Sequence, residues 1–286
     1  MNSIDQMRER KLQEMYHRIQ KSPLYKKKLA HIESNDINLH HLHTLPLTTK
    51  EDLRKAGIFG PLAVDKREIA QYHESTGTTG IPPSSAWFTQ RDLLTGGRQL
   101  KECGVHLSAE DLILIRFPYA MALPAFLLQQ AAWQTGAGVV PASGRTVVTP
   151  PYPRVLCLLK QLSVTVLAGL PREMELLAET ARLEGTEVST AFPDLRALCV
   201  AGELMSDKRK AHIEKLWQVP VFNMYGSTET ANIATMCEYG TMHIIEEDFI
   251  VEVLKEDGSE PVANGEKRLC YDHHAFSSRF TTTEIF

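Results

Sequence analysis

Short apolar runs alternate with longer amphipathic stretches along the middle of the chain. The apolar runs are a few residues long and rich in β-branched side chains, which is typical of buried strands. The amphipathic stretches have helical spacing and end near glycine or another helix breaker. Strands are predicted over residues 112–115, 139–140, 164–167 and 195–200, and helices over residues 89–103, 123–133, 154–162 and 171–183. This alternation predicts an α/β fold whose largely parallel sheet is covered by helices.

The amino-terminal part is predicted to be mostly helical. Apolar residues recur at helical spacing over residues 4–29 until Pro23 interrupts the pattern. Thr48 or Thr49 then caps a short helix that runs through Lys55, because a hydroxyl satisfies exposed N–H groups and the acidic residues that follow favour the helix start.

Composition is that of a folded protein. The chain of 286 residues is 43% hydrophobic and 23% charged, with a net charge of −4, and this mild acidity gives no footprint for nucleic acid. Its first residues are charged and no apolar run approaches the roughly 20 residues that span a bilayer, so we expect a cytoplasmic location without membrane insertion. The five widely spread cysteines are interpreted as reduced thiols.

A loop rich in hydroxyls and glycines is the first candidate binding element. It reads Ser75, Thr76, Gly77, Thr78, Thr79, Gly80, and Ile81 and Pro82 follow. Glycines let the backbone turn its N–H groups toward one point, and hydroxyls add neutral donors, so a phosphate is the expected occupant. A Walker loop would need a lysine where Ile81 stands. The alternative is a solvated connection between two elements.

Two later blocks place carboxylates near predicted strand ends. The first is Ala201-Gly202-Glu203, and the second is Asn223-Met224-Tyr225-Gly226-Ser227-Thr228-Glu229. A carboxylate beyond the end of a parallel strand lies where ligands usually bind, although Glu203 also suits a helix cap. Glu229 suits Mg²⁺, which prefers carboxylate oxygen, although by itself the second block is also typical of a turn leading into a helix.

These blocks, in this order, resemble the adenylate-forming enzymes, and the nearest resemblance is to the phenylacetate-CoA ligase group. The segment from Leu45 to Pro83 also carries the similarity. The resemblance implies the large N-terminal α/β domain of that superfamily, with mostly parallel sheets and a small β-rich part near the C-terminus. It also implies ATP- and Mg²⁺-dependent activation of a small apolar or aromatic carboxylic acid as acyl-AMP, from which coenzyme A or a carrier thiol then accepts the acyl group.

The resemblance assigns roles to individual residues. Residues 75–80 would wrap the phosphates, Ala201, Gly202 and Glu203 would line the adenine, and Asn223, Gly226 and Ser227 belong to the same nucleotide site. Tyr225 would lie against adenine, Thr228 would donate to the α-phosphate, and Glu229 would hold Mg²⁺. Glu284 would bind the ribose, but it stands where the family has aspartate, and Thr283 replaces the family's glycine.

The acid-binding pocket is expected between the first strands and the Tyr-Gly block. Phe117, Tyr119 and Met121 are the candidate lining residues, with Phe126 as a neighbour. The same aromatic and methionine-rich stretch also fits plain core. Arg116 or Arg145 is a candidate partner for the substrate carboxylate, and each is equally consistent with a surface charge.

The predicted organisation is a helical lead-in over residues 1–70, an ATP- and acid-binding core over 71–240 and a β-rich end over 241–286. The superfamily's C-terminal domain, with its lysine, is expected to be absent from this chain. Two alternatives to an active enzyme therefore stay open. One is a nucleotide or acyl-adenylate binding module without turnover, and the other is an adenylation subunit that needs a partner chain, beside the further option of a homodimer.

Two weaker features lie late in the sequence. Cysteine, histidine and glutamate residues recur there without the spacing of a zinc template, so most are interpreted as core or surface residues. They are Cys237, Glu238, His243, Cys270, His273 and His274. The acidic run over residues 246–248 is expected to be a solvated turn before a strand over residues 249–254.

Overall fold

A computed structural model describes residues 3–75, 83–144 and 149–252. Their contacts divide the chain into two compact units. The first comprises the described residues of Met1–Asp92 and Glu246–Phe286, and the second those of Leu93–Ile245. The domain boundaries at residues 70 and 240 stay a prediction.

The helical pattern predicted over residues 4–29 is confirmed as two helices. Helix α1 (Ser3–Ile19) ends before a turn, and helix α2 (Pro23–Lys28) begins with Pro23 at its first position. Proline lacks an N–H that would be unpaired there anyway, and Ser22 caps the helix by accepting from the N–H of Tyr25. The apolar faces of both helices share one buried cluster, which includes Ile19 and Tyr25.

Helix α3 (Lys50–Ala56) begins at the predicted hydroxyl cap, and the capping residue is Thr49. Its side-chain oxygen accepts from the N–H of Asp52 at 3.2 Å, and the Asp52 carboxylate accepts from the N–H of Thr49 at 2.9 Å. This reciprocal pair is a capping box, which satisfies two backbone donors at the helix start.

Strands β1 (Ile69–Glu74) and β2 (Ser85–Thr89) form an antiparallel pair in the first unit. Ser75 continues the pairing beyond β1, because its N–H donates to the carbonyl of Ser84 at 3.0 Å. Their hydroxyls lie 2.9 Å apart, and Ser84 is fully buried. This serine pair therefore fixes the two ends of the segment that the sequence predicts to bind phosphate.

The second unit is built on a seven-stranded sheet with the order β4-β3-β5-β6-β7-β8-β9. Its strands are β3 (Leu112–Ile115), β4 (Gly138–Pro141), β5 (Val166–Gly169), β6 (Ala197–Val200), β7 (Val221–Ser227), β8 (Ala231–Met236) and β9 (Met242–Ile244). The first five strands in spatial order are parallel, and β8 and β9 are antiparallel to their neighbours. The mostly parallel α/β fold is therefore confirmed.

Helices connect the parallel strands, as the sequence pattern predicts. Helix α4 (Gln90–Lys101) leads from β2 into β3, and the connecting helices are α5 (Pro124–Thr135), α6 (Tyr152–Gln161), α7 (Pro171–Leu183), α8 (Val188–Ala191) and α9 (Asp207–Trp217). Every residue of β5 and β6 is buried, which explains why these strands are continuous apolar runs without alternation. A core cluster joins these strands to α6, α7 and α9 and contains the fully buried Trp217.

An ion pair between the buried Asp111 and the exposed Arg196 lies at the amino-terminal end of the sheet. Asp111 precedes β3, and its carboxylate accepts from Arg196 at 2.8 Å on each oxygen. The hydroxyl of Thr165 donates to the same carboxylate at 2.7 Å. Burial alone would raise the pKa of Asp111, but these hydrogen bonds outweigh it and lower the pKa from 3.8 to about 2.

This ion pair makes stability depend on pH in a defined window. A carboxyl whose pKa is lowered by folding stabilises the fold above its unfolded pKa, and that contribution is lost as pH falls from about 4 to about 2. We therefore expect Asp111→Asn to lower the urea midpoint at pH 7, and the difference from the wild type to shrink below pH 4. A difference that stays constant down to pH 2 would contradict the assignment.

The carboxyl-terminal part departs from the prediction. Residues 249–252 form no strand, so the strand predicted over 249–254 is wrong in its described part, and residues 253–254 lie outside the described residues. A strand needs a neighbouring backbone to pair with, and no described strand pairs with these residues. The preceding acidic turn is bound to α1, because Lys11 contacts Asp248 at 3.4 Å and Arg8 contacts Glu246 at 3.1 Å. It is therefore not merely solvated.

In the parts of the chain that the structure covers, no helix combines the length and apolar character needed to cross a bilayer.

Candidate functional site

The two predicted nucleotide blocks follow neighbouring strands of the second unit. Strands β6 and β7 are parallel, and Val200 of β6 pairs with Asn223 of β7. Their carboxyl ends therefore lie at the same edge of the sheet, where ligands of open α/β sheets bind. Ala201, Gly202 and Glu203 leave this edge from β6, and the block that begins at Asn223 continues along β7 beside them.

The Tyr-Gly block ends in a turn that buries Glu229. Strand β7 ends at Ser227, residues 228–230 form the turn, and β8 returns antiparallel. The hydroxyls of Ser227 and Thr230 lie 3.0 Å apart across this turn. Glu229 is only 6% exposed, whereas Thr228 is half-buried. The alternative of a turn leading into a helix is therefore wrong, because the chain pairs back onto β7.

Gly226 is required by close backbone packing in this turn. A Cβ at residue 226 would lie 1.9 Å from the carbonyl oxygen of Ala231, and that backbone cannot move away without breaking the β7–β8 pairing. Ala231 itself adopts a φ of 57°, which is uncommon outside glycine.

We expect Gly226→Ala to destabilise the second unit by about 1–3 kcal/mol, the usual cost of overpacking. The measurement is the urea midpoint, with Gly185→Ala as the control for a glycine whose added Cβ meets no atom within 4 Å. Since Gly185 has a positive φ of 69°, it reports the cost of backbone conformation alone. An unchanged urea midpoint in Gly226→Ala would refute the packing explanation.

Two side chains of β7, Tyr225 and Asn223, are suited to contact a ligand. The ring of Tyr225 is 55% exposed, although it follows a buried strand residue. The side-chain oxygen of Asn223 is buried, and no described group donates a hydrogen bond to it. An exposed ring and an unsatisfied acceptor side by side on one strand suit a flat heterocycle that carries an amino donor.

The segment after β6 is held by an arginine. Gly202 adopts a left-handed φ of 82°, and the Glu203 carboxylate contacts Arg209 at 2.9 Å. The same guanidinium donates to Glu175 at 2.8 Å. The helix cap of α9 is Ser206, whose hydroxyl accepts from the N–H of Arg209. Glu203 is therefore not the helix cap that the alternative interpretation proposed.

Several predicted site residues lie outside the described residues. They are Thr76, Gly77, Thr78, Thr79, Gly80, Arg145 and Glu284. Ser75 is described and belongs to the first unit, where it forms the serine pair with Ser84. The phosphate-binding and ribose-binding roles therefore stay predictions.

The predicted acid-pocket residues differ in their surroundings. Phe117 is buried in the core and Met121 is 43% exposed. Tyr119 packs edge-on against Phe126, with ring centroids 5.3 Å apart. Its hydroxyl is buried and has no hydrogen-bond partner in the described part of the chain, and burial raises the pKa of Tyr119 to about 12. Among these residues, Tyr119 has the side chain best suited to meet a ligand.

Arg116 is buried, so it is not a surface charge, and its guanidinium already has partners. Its guanidinium donates to Glu173 at 2.7 and 3.1 Å and to the carbonyl of Ala142 at 2.8 Å. A cavity of about 560 Å³ opens beside this pair, between Pro151, Tyr152 and Arg172. We do not place the acid there, because the buried charges of this cavity already satisfy each other and Tyr119 does not line it.

No metal cluster is found within the described ranges. No three histidine, cysteine, aspartate or glutamate side chains converge there. Cys237, Glu238 and His243 are described, and Cys270, His273 and His274 lie outside the described residues. The four described cysteines, at 103, 157, 199 and 237, are free thiols.

Three structural residues of the site were not predicted from the sequence: Arg209, Glu175 and Thr230. Thr230 follows the Tyr-Gly block directly, so the block's spacing offered a signal for it. The pairing of Arg209 with Glu175 joins residues 34 positions apart, and no local pattern indicates it.

A mostly parallel sheet covered by helices makes this chain an α/β protein. The Glu203 segment and the turn at residues 228–230 follow neighbouring strands, at the edge where α/β proteins usually bind ligands. Its family follows from comparison with known proteins. A family model described as "AMP-binding enzyme" matches residues 13–267, and the chain belongs to that family.

The chain is also similar to characterised ligases. It is 28% identical to a phenylacetate-coenzyme A ligase of Thermus thermophilus over 233 residues, which cover 79% of this chain and 51% of that protein. It is 26% identical to the Escherichia coli phenylacetate-coenzyme A ligase over 262 residues, covering 87% of this chain and 58% of the relative. The chain thus spans about half the length of these curated relatives.

Solved structures share the fold. The structure of 2-hydroxyisobutyryl-CoA ligase in complex with 2-HIB-AMP and CoA, in the thioesterification state, matches with a TM-score of 0.82 at 21% identity. The match covers 93% of this chain and 59% of that protein. The open conformation of the same ligase matches with a TM-score of 0.80, covering 92% and 63%. The predicted resemblance to adenylate-forming enzymes is therefore confirmed at the level of family and fold.

Proposed function

We propose that this chain binds ATP and Mg²⁺ and activates a small carboxylic acid as acyl-AMP in the cytoplasm. The observation that carries the proposal is the shared edge of β6 and β7, where Ala201, Gly202 and Glu203 leave one strand beside the Asn223–Glu229 block of the next. Membership of the AMP-binding family and the named ligase relatives support the same chemistry.

The nucleotide base is proposed to bind at Tyr225 and Asn223. An exposed ring stacks on a purine face, and the buried Asn223 oxygen, which lacks a described donor, complements the amino group of adenine. Such an acceptor left unpaired costs free energy, so a ligand donor that satisfies it gains affinity. The backbone of residues 201–203 would form the neighbouring wall.

The residues present fit magnesium through one buried carboxylate. Mg²⁺ is commonly held by one or two carboxylates together with substrate phosphates and water, and Glu229 is 6% exposed beside the hydroxyl-bearing turn. When bound, the ion neutralises charge on the phosphates. Glu229 would orient it, and Thr228 would donate its hydroxyl to an α-phosphate oxygen.

The reaction proposed is in-line substitution at phosphorus. A carboxylate oxygen of the acid forms a bond to the α-phosphorus of ATP, and the bond to the bridging oxygen of pyrophosphate breaks, so the electron pair leaves with pyrophosphate. A thiolate, from coenzyme A or a carrier protein, then attacks the acyl carbon and AMP departs. Tyr119 is proposed to contact the acid, and the apolar rings near it favour an apolar or aromatic acid.

Two other functions remain alternatives because they predict different results. A binding module would bind ATP or acyl-adenylate without releasing pyrophosphate. A subunit that needs a partner, either a second copy or a separate lysine-bearing chain, would gain turnover when that partner is added. The proposed lysine would stabilise charge as pyrophosphate leaves, a contribution worth orders of magnitude in rate.

The test is pyrophosphate release from ATP and Mg²⁺ across a panel of aryl and short-chain acids, with ATP binding measured in parallel by calorimetry. Acid-dependent release supports the adenylating enzyme and identifies its acid. Binding without release for any acid would favour one of the two alternatives. No detectable ATP binding would overturn the proposal.

A further inference from the structure

Arg209 is the centre of a charge network behind the β6 edge. It lies in the first turn of α9, two residues after the helix begins at Asp207. Its Nη2 contacts Glu203 at 2.9 Å and its Nε contacts Glu175 at 2.8 Å. Its Nη1 donates to the carbonyl of Leu204 at 3.1 Å, so each guanidinium nitrogen has a partner.

These contacts tie an irregular loop to two helices. Residues 201–206 connect β6 to α9 without regular backbone pairing, and Gly202 in this loop adopts the left-handed conformation. Arg209 holds the loop through one side chain and one carbonyl. Glu175 on α7 fixes the arginine in turn, with support from Arg172 at 3.2 Å. The loop conformation is therefore set from α7 through Arg209.

Arg209 occupies a helix position that is unfavourable for a cation, and two carboxylates compensate for this. The first turn of a helix is the positive end of its dipole and favours acidic residues. Arg209 stands there between Glu203 and Glu175, whose carboxylates raise its pKa, with Glu175 the stronger influence. Without the arginine, Glu203 would lose this cation and Glu175 would keep Arg172, so the charged bridge from the loop to α7 would be lost.

We infer that Arg209 is a positioning residue that sets nucleotide affinity and base preference through the Ala201–Leu204 loop. The inference rests on the proposed function, because that loop would line the base. Arg209 itself need not touch the nucleotide. Its substitution is therefore expected to change ATP binding more than the chemical step, since the step takes place at Glu229 and Thr228.

The experiment compares Arg209→Met and Arg209→Lys with Lys208→Met, a matched exposed cation of the same helix turn. The first measurement is amide hydrogen exchange of residues 201–206 without nucleotide. The second is the Kd for ATP by calorimetry, and the third is the ratio of ATP to GTP affinity. We also measure KM for ATP and kcat separately for any acid that supports turnover.

We expect faster exchange of residues 201–206 in Arg209→Met and a Kd for ATP raised about tenfold, which corresponds to about 1.4 kcal/mol. The preference for ATP over GTP should narrow, KM should rise and kcat should change less than twofold. Lysine cannot replace three directed donors, so Arg209→Lys should recover only part of the affinity. The double variant Glu175→Gln with Arg209→Met should have nearly the same Kd for ATP as Arg209→Met alone, because both changes release the same loop.

The outcomes separate this inference from the proposed function. If the wild type binds ATP and Arg209→Met binds it equally well with the same base preference, the positioning role is wrong and the proposed function stands. If Arg209→Met loses affinity only because it unfolds, its amide protection will be lost throughout the second unit and not only in residues 201–206, whereas Lys208→Met will keep that protection. This result also overturns the role. If the wild type binds no ATP, both proposals fail.

Discussion

Glu229→Gln is expected to reduce acid-dependent pyrophosphate release by about 10²–10³-fold. Glutamine keeps the size and the oxygen acceptor of glutamate but removes its charge, so it is a poor ligand for Mg²⁺. The side chain is buried at the turn between β7 and β8. The measurement is the rate of pyrophosphate release at saturating acid, with a Mg²⁺ titration for each variant.

The matched control is Glu238→Gln, an exposed glutamate in the turn that follows β8. Its carboxylate lies 3.7 Å from the ring of His106 and both side chains are exposed, so the change should leave the rate and the Mg²⁺ dependence unaltered. The circular dichroism spectra of both variants should match the wild type. A Glu229→Gln protein that retains its rate and its response to Mg²⁺ would remove Glu229 from the proposed mechanism.

The parallel part of the sheet could be predicted because burial leaves a strong local signal. Strands β5 and β6 are buried on both faces and therefore read as short apolar runs. Proline at the start of α5, α6 and α7 and glycine after α5 mark element boundaries within one or two residues. Local chemistry and the final fold agree in this region.

The antiparallel end of the sheet could not be predicted in the same way. Strand β8 is buried at all six positions and contains alanine, asparagine and threonine, so it shows neither alternation nor strong β-propensity. Its pairing depends on the close approach of Gly226 to Ala231, which is a backbone contact. Residues 249–252 show the reverse case, since apolar composition there does not produce a strand.

The same difference holds for the site residues: those carried by a short motif could be predicted, and those held by long-range contacts could not. Tyr225 and Glu229 were identified because a short motif carries them, and their exposure and burial follow from one strand and one turn. The surface-charge alternative for Arg116 is wrong, because its partner Glu173 lies 57 residues away and only the fold brings them together. Long-range ion pairs of this kind leave no signal in a single sequence.

This ion pair leads to the second large expected effect, the destabilisation of the second unit by Glu173→Gln. The Arg116 side chain is 2% exposed, and Glu173 accepts from it and from the hydroxyl of Tyr152 at 3.0 Å. Removing the carboxylate charge leaves a buried guanidinium without compensation, at a cost of about 3–5 kcal/mol. The measurement is urea unfolding followed by tryptophan fluorescence, to which Trp217 contributes because its ring, at the end of α9, is buried and donates to the Met174 carbonyl of α7.

Glu179→Gln, an exposed change on the same helix α7, is the control and should shift the midpoint little. The double variant Arg116→Met with Glu173→Leu should be more stable than Glu173→Gln alone, since replacing both partners removes the buried charge together with its counter-charge. If Glu173→Gln and Glu179→Gln unfold at the same urea concentration, the Arg116–Glu173 pair makes no net contribution to the free energy of unfolding. The loops at the carboxyl edge of β3 and β5 would then be held by packing alone.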